Sequence, residues 1–148
     1  VRAVIQRTTK ASVSVDEELT GEIAKGFVVL LGVEEADTHE DVEYLARKIA
    51  NMRIFEDENE KMNRSLKDVD GEILSISQFT LHAETKKGNR PSFTGAAGPD
   101  KAEDLYNQFN AQLEKLGVSV KTGRFGAHMV VSLINDGPVT ITMDTKNK

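Results

Sequence analysis

The chain has 148 residues, 24 acidic against 19 basic side chains for a formal net charge of −5, and no cysteine. That length is one domain, 1–148, able to bury a core without staples. The missing thiols exclude a disulfide framework and thiolate chemistry, and they fit a reducing cytoplasm. The acidic balance excludes broad, sequence-independent binding along a nucleic-acid duplex, which needs many basic contacts, and leaves room for a local contact with an RNA end.

Arg2 to Val15 alternates with β-branched residues and predicts a strand. It offers no cleavable apolar segment, and no run in the chain approaches bilayer length, so secreted and membrane-inserted readings are set aside. "LTGEIAKGFVVLLGV" at 19–33 predicts two further strands split at Lys25-Gly26, most simply an antiparallel meander. The period then changes. Thr38 and Asp41 resemble a capping pair, and Val42, Leu45, Ala46, Ile49 and Met52 recur at helical spacing, predicting an amphipathic helix over about residues 39–51.

"MRIFED" at 52–57 reads as a return to the sheet, Asp57 to Asp70 as a charged loop, and "GEILSISQFTLH" at 71–82 as a buried strand. "AETKKGNRPSFTGAAGPDK" follows without any period, and a loop that long in a compact domain is often functional. Pro99 and Asp100, with Glu103 three residues on, start a second helix whose buried stripe is Ala102, Leu105, Tyr106, Phe109, Leu113 and Leu116. "GVSVKTGRFGAHMVVSLINDGPVTITMD" closes the chain before a polar tail, Thr145 to Lys148, expected to fray. With neither repeats nor a linker, the class is α+β: a mostly antiparallel, barrel-like sheet covered by two main helices.

The stretch "VVSLINDGPVTITMD" at 130–144 looks like a hairpin, with two apolar runs flanking Asn135-Asp136-Gly137-Pro138. Pro138 sits awkwardly in that reading. It has no backbone donor and pushes Gly137 out of the helical region directly against the second run.

Of the histidines, His39 falls at a helix start, His82 at a strand end and His128 near a strand start, with no His-x-His or H-E-x-x-H spacing. No metal site and no cofactor are expected. Ser77, His82 and an aspartate can be drawn as a triad, but no G-x-S-x-G elbow supports it, and a serine hydrogen-bonded within the sheet is the simpler meaning. No P-loop or G-x-G-x-x-G occurs.

"SQFTLHA" is different, because Ser77, Gln78 and Thr80 interrupt the apolar Ile73, Leu74, Ile76, Phe79 and Leu81. Polar groups there need partners or a cavity. Regular pairing puts Gln78, Thr80 and His82 on one face, with Thr80 and His82 backbones roughly 6.6 Å apart. A bulge near Ser77 would redirect them and free backbone N–H groups for a ligand. Thr80 is equally well explained as a β-favouring residue placed for packing. In "TKKGNRPSF", Lys86, Lys87 and Arg90 form a solvated tip, or a phosphate contact if the loop borders a pocket. "GRFGAHM" sets Arg124 beside Phe125 between two glycines, a cation and a stacking surface for a base.

Together, "SQFTL" at 77–81 and "NDGPVT" at 135–140, with "RAVIQR" at 2–7 and "GRFGA" at 123–127, resemble the D-aminoacyl-tRNA deacylase (D-tyrosyl-tRNA deacylase) family nearly end to end. The resemblance implies a homodimer with active sites at its interface. It also implies hydrolysis of the ester joining a D-amino acid to the tRNA 3′ end, a proofreading step in translation. On it, Ser77, Gln78, Phe79 and Thr80 form the catalytic segment, and Gly137-Pro138, a cis bond, enters the other subunit's pocket and rejects L-aminoacyl-tRNA. Phe125 and Met129 take the terminal adenosine, and Arg7 braces the Gly-Pro loop. Neither metal, cofactor nor membrane is implied.

A pocket that rejects L side chains should admit glycine, so cleavage of glycyl-tRNA is expected too. Whether Thr80 is the nucleophile or the neighbouring ribose hydroxyl helps activate water is left open by the sequence. The second is preferred, since His82 is the only base near Thr80. The competing readings are a non-catalytic dimeric nucleic-acid-binding module and a general D-amino acid esterase.

Overall fold

The computed structural model describes residues 1–148. In chain order it has β1 (Arg2–Val15), β2 (Glu18–Ile23), β3 (Gly26–Gly32), α1 (His39–Asn51), β4 (Phe55–Glu56), β5 (Met62–Arg64) and β6 (Glu72–Ser77). Then come α2 (Pro99–Lys115), β7 (Ser119–Thr122) and β8 (Val130–Asp144). The strand β1 organises the sheet. Along one edge its residues 2–8 pair with β3 and its residues 11–15 with β2, both antiparallel, while the opposite edge pairs with β8.

The sheet is mixed, not purely antiparallel: the three pairings of β1 are antiparallel, but β3–β6 and β6–β7 run parallel. Each helix is the cause. Parallel neighbours need a crossover connection, and α1 lies in the one from β3 to β6 as α2 does in the one from β6 to β7. The sheet curls until it nearly closes. Gly21 of β2 comes so near β7 that a Cβ there would stand 2.7 Å from the Thr122 carbonyl oxygen, an approach only glycine permits.

Both faces of the central strands are covered, which is why β3 reads "GFVVLLG" without alternation. A cluster of 22 buried residues joins one face, through Ile5, Phe27 and Ile73, to Leu45 and Ile49 of α1 and Phe109 of α2. Inside the curl a second cluster of six gathers Val13, Val28 and Leu74. Each such side chain contributes roughly 1.5–3 kcal/mol relative to exposure. The helix α1 begins where expected, with the Asp41 carboxylate accepting the Thr38 N–H at 2.8 Å. In α2, Pro99 opens the helix, and the buried face holds Asn110 besides the apolar stripe.

Three expectations change. "MRIFED" does not rejoin the main sheet, because β4 pairs only with β5 in a separate two-stranded ribbon, its Phe55 stacked on Phe27 at 5.3 Å. The segment 57–70 is therefore not all loop: it holds β5 and a 3-10 turn at Lys67–Val69. Residues 130–144 form one continuous strand, not a hairpin, and both halves pair with β1. Gln6 faces Thr140 and Thr8 faces Asn135, so Asp136 to Val139 bulge out opposite Arg7.

Candidate functional site

The expected strand through 71–82 stops at Ser77, and Phe79–His82 is a 3-10 turn. The change falls at Gln78: its N–H still makes the last ladder bond to the Leu31 carbonyl of β3 at 2.8 Å, but its carbonyl turns to accept the Leu81 N–H. Strand alternation, or a bulge at Ser77, therefore does not describe this segment. The turn sends Thr80 and His82 to different places. Phe79 and Thr80 open the turn, so their N–H groups have no partner within it.

A cleft of about 870 Å³ lies over this turn, and 14 of its 21 lining residues are hydrophobic. Ser77, Gln78, Phe79, Thr80, Phe125 and Met129 all line it. No Asp, Glu, Lys or Arg does, although the chain carries 24 acids. Gln78 Nε2 donates to Thr80 Oγ1 at 3.0 Å, so the partner of the threonine oxygen is a donor, not a base. Phe125 is held from behind by Tyr106, ring centroids 6.1 Å apart, and the Tyr106 hydroxyl donates to the Ser75 carbonyl at 2.6 Å. Burial pushes the Tyr106 phenol up from its ordinary value, so it stays protonated.

Arg7, Gly137 and Pro138 do not line this cleft. They meet at the β8 bulge. The Gly137-Pro138 peptide is cis, and Gly137 has φ +133°. Arg7, 3% exposed, donates through Nε to the Asp136 carbonyl at 3.0 Å and through Nη1 to the Ile54 carbonyl at 2.7 Å and to Glu56 at 3.0 Å. Asn135 straps the bulge from within: its Oδ1 accepts the Val139 N–H at 2.8 Å and its Nδ2 donates to Thr140 Oγ1.

Sequence reasoning missed Asn135, Phe93, Gln6 and the lining role of His128. Phe93 packs edge-on against Phe79, centroids 5.3 Å apart at 78°, and both ring faces belong to the cleft. Its signal was an aromatic in an otherwise polar loop. His82 is buried away from the cleft, its Nδ1 3.0 Å from the Glu34 carboxylate, so no Ser77–His82 pair exists. Lys146 hydrogen-bonds the other Glu34 oxygen and holds that carboxyl below its usual range. No group of three or more His, Cys, Asp or Glu has metal-binding geometry, and no helix is long and apolar enough to cross a membrane.

A family model described as D-Tyr-tRNA(Tyr) deacylase matches residues 4–144. A D-aminoacyl-tRNA deacylase of Bacillus pumilus (strain SAFR-032) is 60% identical over 146 residues, covering 99% of each chain. Among solved structures, the c-Myc DNA Unwinding Element Binding Protein matches with a TM-score of 0.91 at 45% identity, over 97% of this chain and 98% of that one. A probable eukaryotic D-amino acid tRNA deacylase shares the fold, with a TM-score of 0.80 at 17% identity over 96% and 97% of the two chains.

Proposed function

The chain belongs to the D-Tyr-tRNA(Tyr) deacylase family, and from that premise we propose how its cleft hydrolyses the ester of D-aminoacyl-tRNA, releasing free D-amino acid and tRNA. The observation that carries the mechanism is the lining. The cleft offers backbone donors and apolar surface but no carboxylate to activate water and no base on Thr80.

Water attacks the ester carbonyl, and the Phe79 and Thr80 N–H groups donate to the oxyanion as it develops. The ribose hydroxyl next to the ester, which the substrate itself brings, helps to activate that water. Thr80 is then an orienting group rather than the nucleophile. Phe125 and Met129 take the terminal adenine by stacking and apolar contact. This route uses no metal and no cofactor.

Selectivity comes from a second copy of the chain. The strand β8 has one edge unpaired, and its outer face exposes Val130 at 58% and Ile134 at 59%, so a lone protomer leaves a free strand edge with two large apolar side chains beside it open to association. That supports a homodimer in which Gly137 and Pro138 of one subunit enter the partner's cleft. There, their carbonyls meet the substrate's α-ammonium and occupy the room an L side chain needs, so that discrimination works by exclusion. Acting on aminoacyl-tRNA, the enzyme serves translation in the cytoplasm.

The structural relative named for DNA binding motivates a second reading, a nucleic-acid-binding dimer that hydrolyses nothing. The retained cleft residues favour the esterase. One experiment separates them: purified, metal-free protein acting on D-tyrosyl-tRNA and L-tyrosyl-tRNA made on the same tRNA. Rapid loss of only the D-ester is expected. Equal loss of both would point to a general esterase, and no loss from folded protein to the binding module.

A further inference from the structure

The long loop between the 3-10 turn and α2 carries a feature that the hydrolytic cleft does not use. Glu84 and Ser92 exchange backbone hydrogen bonds of 2.7 and 3.0 Å, closing a small hairpin. Lys86, Lys87 and Arg90 stand on it, all exposed. No other five-residue window of the chain holds three cations. None of the three is in an ion pair, whereas Arg2, Arg7, Arg64 and Lys146 each have a carboxylate partner. Glu84, the one acid of the hairpin, accepts the Lys86 backbone N–H through its side chain at 3.0 Å.

The hairpin is joined to the cleft. One residue past Ser92, Phe93 packs on Phe79, and Ala96 and Ala97 also line the wall. An aminoacylated RNA end whose ester lies at Thr80 must lead a line of phosphates out of a cleft that no lysine or arginine lines. A cluster of unpaired cations rooted in that wall, on a chain of net charge −5, is placed to meet those phosphates.

We propose that Lys86, Lys87 and Arg90 form a phosphate-contact surface for the acceptor end of the tRNA, gripping its backbone without reading its bases. The proposal rests on the aminoacyl-tRNA reading above. It assigns the hairpin to affinity and to the salt dependence of binding, and the cleft to chemistry and chirality.

The test is the triple variant K86Q/K87Q/R90Q, compared with the parent at several salt concentrations. On D-tyrosyl-tRNA the variant is expected to show KM raised about tenfold or more near 0.1 M salt, with kcat retained. Its plot of log(kcat/KM) against log[salt] should be shallower by about 2–3, the contribution of three neutralised phosphates. On a D-tyrosyl ester of adenosine, which has no phosphate, the defect should vanish. Binding of uncharged tRNA should show the same change of slope. Because it needs no hydrolysis, it distinguishes failure of this proposal from failure of the deacylase reading. An unchanged slope for uncharged tRNA would overturn the proposal. So would an equal defect on the adenosine ester, or the same slope change in a charge-matched K48Q/K61Q/K115Q variant.

Discussion

Arg7 Nε donates to the Asp136 carbonyl across 3.0 Å, and the same guanidinium holds the Ile54 carbonyl and Glu56. One buried cation thus ties the β8 bulge to the segment entering β4, and a shift of the bulge would strip its Nε–H of the Asp136 carbonyl while Glu56 still held the charge. Lysine carries the charge but not the fork. Arg7→Lys should therefore lower stability by about 1.5–3 kcal/mol, seen as a lower urea midpoint at unchanged slope. Turnover of the D-ester should fall with it, and an unchanged midpoint would show that the guanidinium does not brace the bulge.

Gly137 is next to that contact. At φ +133°, an added Cβ would stand 2.7 Å from Val139 Cγ2 and 3.2 Å from Arg7 Nη2. Gly137→Ala should cost about 1–3 kcal/mol and sharply reduce D-tyrosyl-tRNA hydrolysis. Full activity and full stability together would remove Gly137 from the site.

Thr80→Ala should keep turnover within about tenfold of the parent, against the roughly 10²–10⁴-fold loss of a removed proton-transfer group. The reason is that Thr80 Oγ1 accepts from Gln78 and has no base beside it. Single-turnover kinetics at saturating enzyme decide the matter. Abolished chemistry with binding intact would make Thr80 the nucleophile and end the ribose-assisted route.

Glycyl-tRNA should be cleaved at enzyme levels that leave L-tyrosyl-tRNA intact, because glycine presents no side chain to exclude. Negligible glycyl-tRNA cleavage where the D-ester is cleared would mean that selectivity rests on a positive contact to the D side chain.

Glu34 titrates below the ordinary 4.5 of a glutamate, chiefly through its hydrogen bond with Lys146. A folded-state value below the unfolded one contributes stability above the unfolded value, and that stability is lost as pH falls through the folded one. Unfolding midpoints followed from about pH 6 down to about pH 3 should thus drop less steeply in Lys146→Gln than in the parent. Parallel curves would mean that the surface pair is screened to nothing.

Much of this molecule was legible one segment at a time. Alternation gave β1 and helical spacing with a Thr38–Asp41 cap gave α1, because burying one face imposes a period that needs no knowledge of the neighbours. The motif residues Ser77 to Thr80, with Phe125 and Met129, were also found in the chain, and the structure puts them in one cleft.

What only the tertiary structure decided depends on contacts between distant segments. Val130 to Asp144 has the local pattern of a hairpin, but one long strand, β1, offers an edge to both halves, and that partner sits more than a hundred residues away. Likewise, the bond from Gln78 to the Leu31 carbonyl is the last rung of the β3–β6 ladder, and in the turn beyond it Thr80 faces the cleft while His82 packs against the distant Glu34. The sheet is mixed for the same reason: a strand's own residues encode which face is buried, while the direction of its neighbour is set by the crossover that α1 or α2 makes above it.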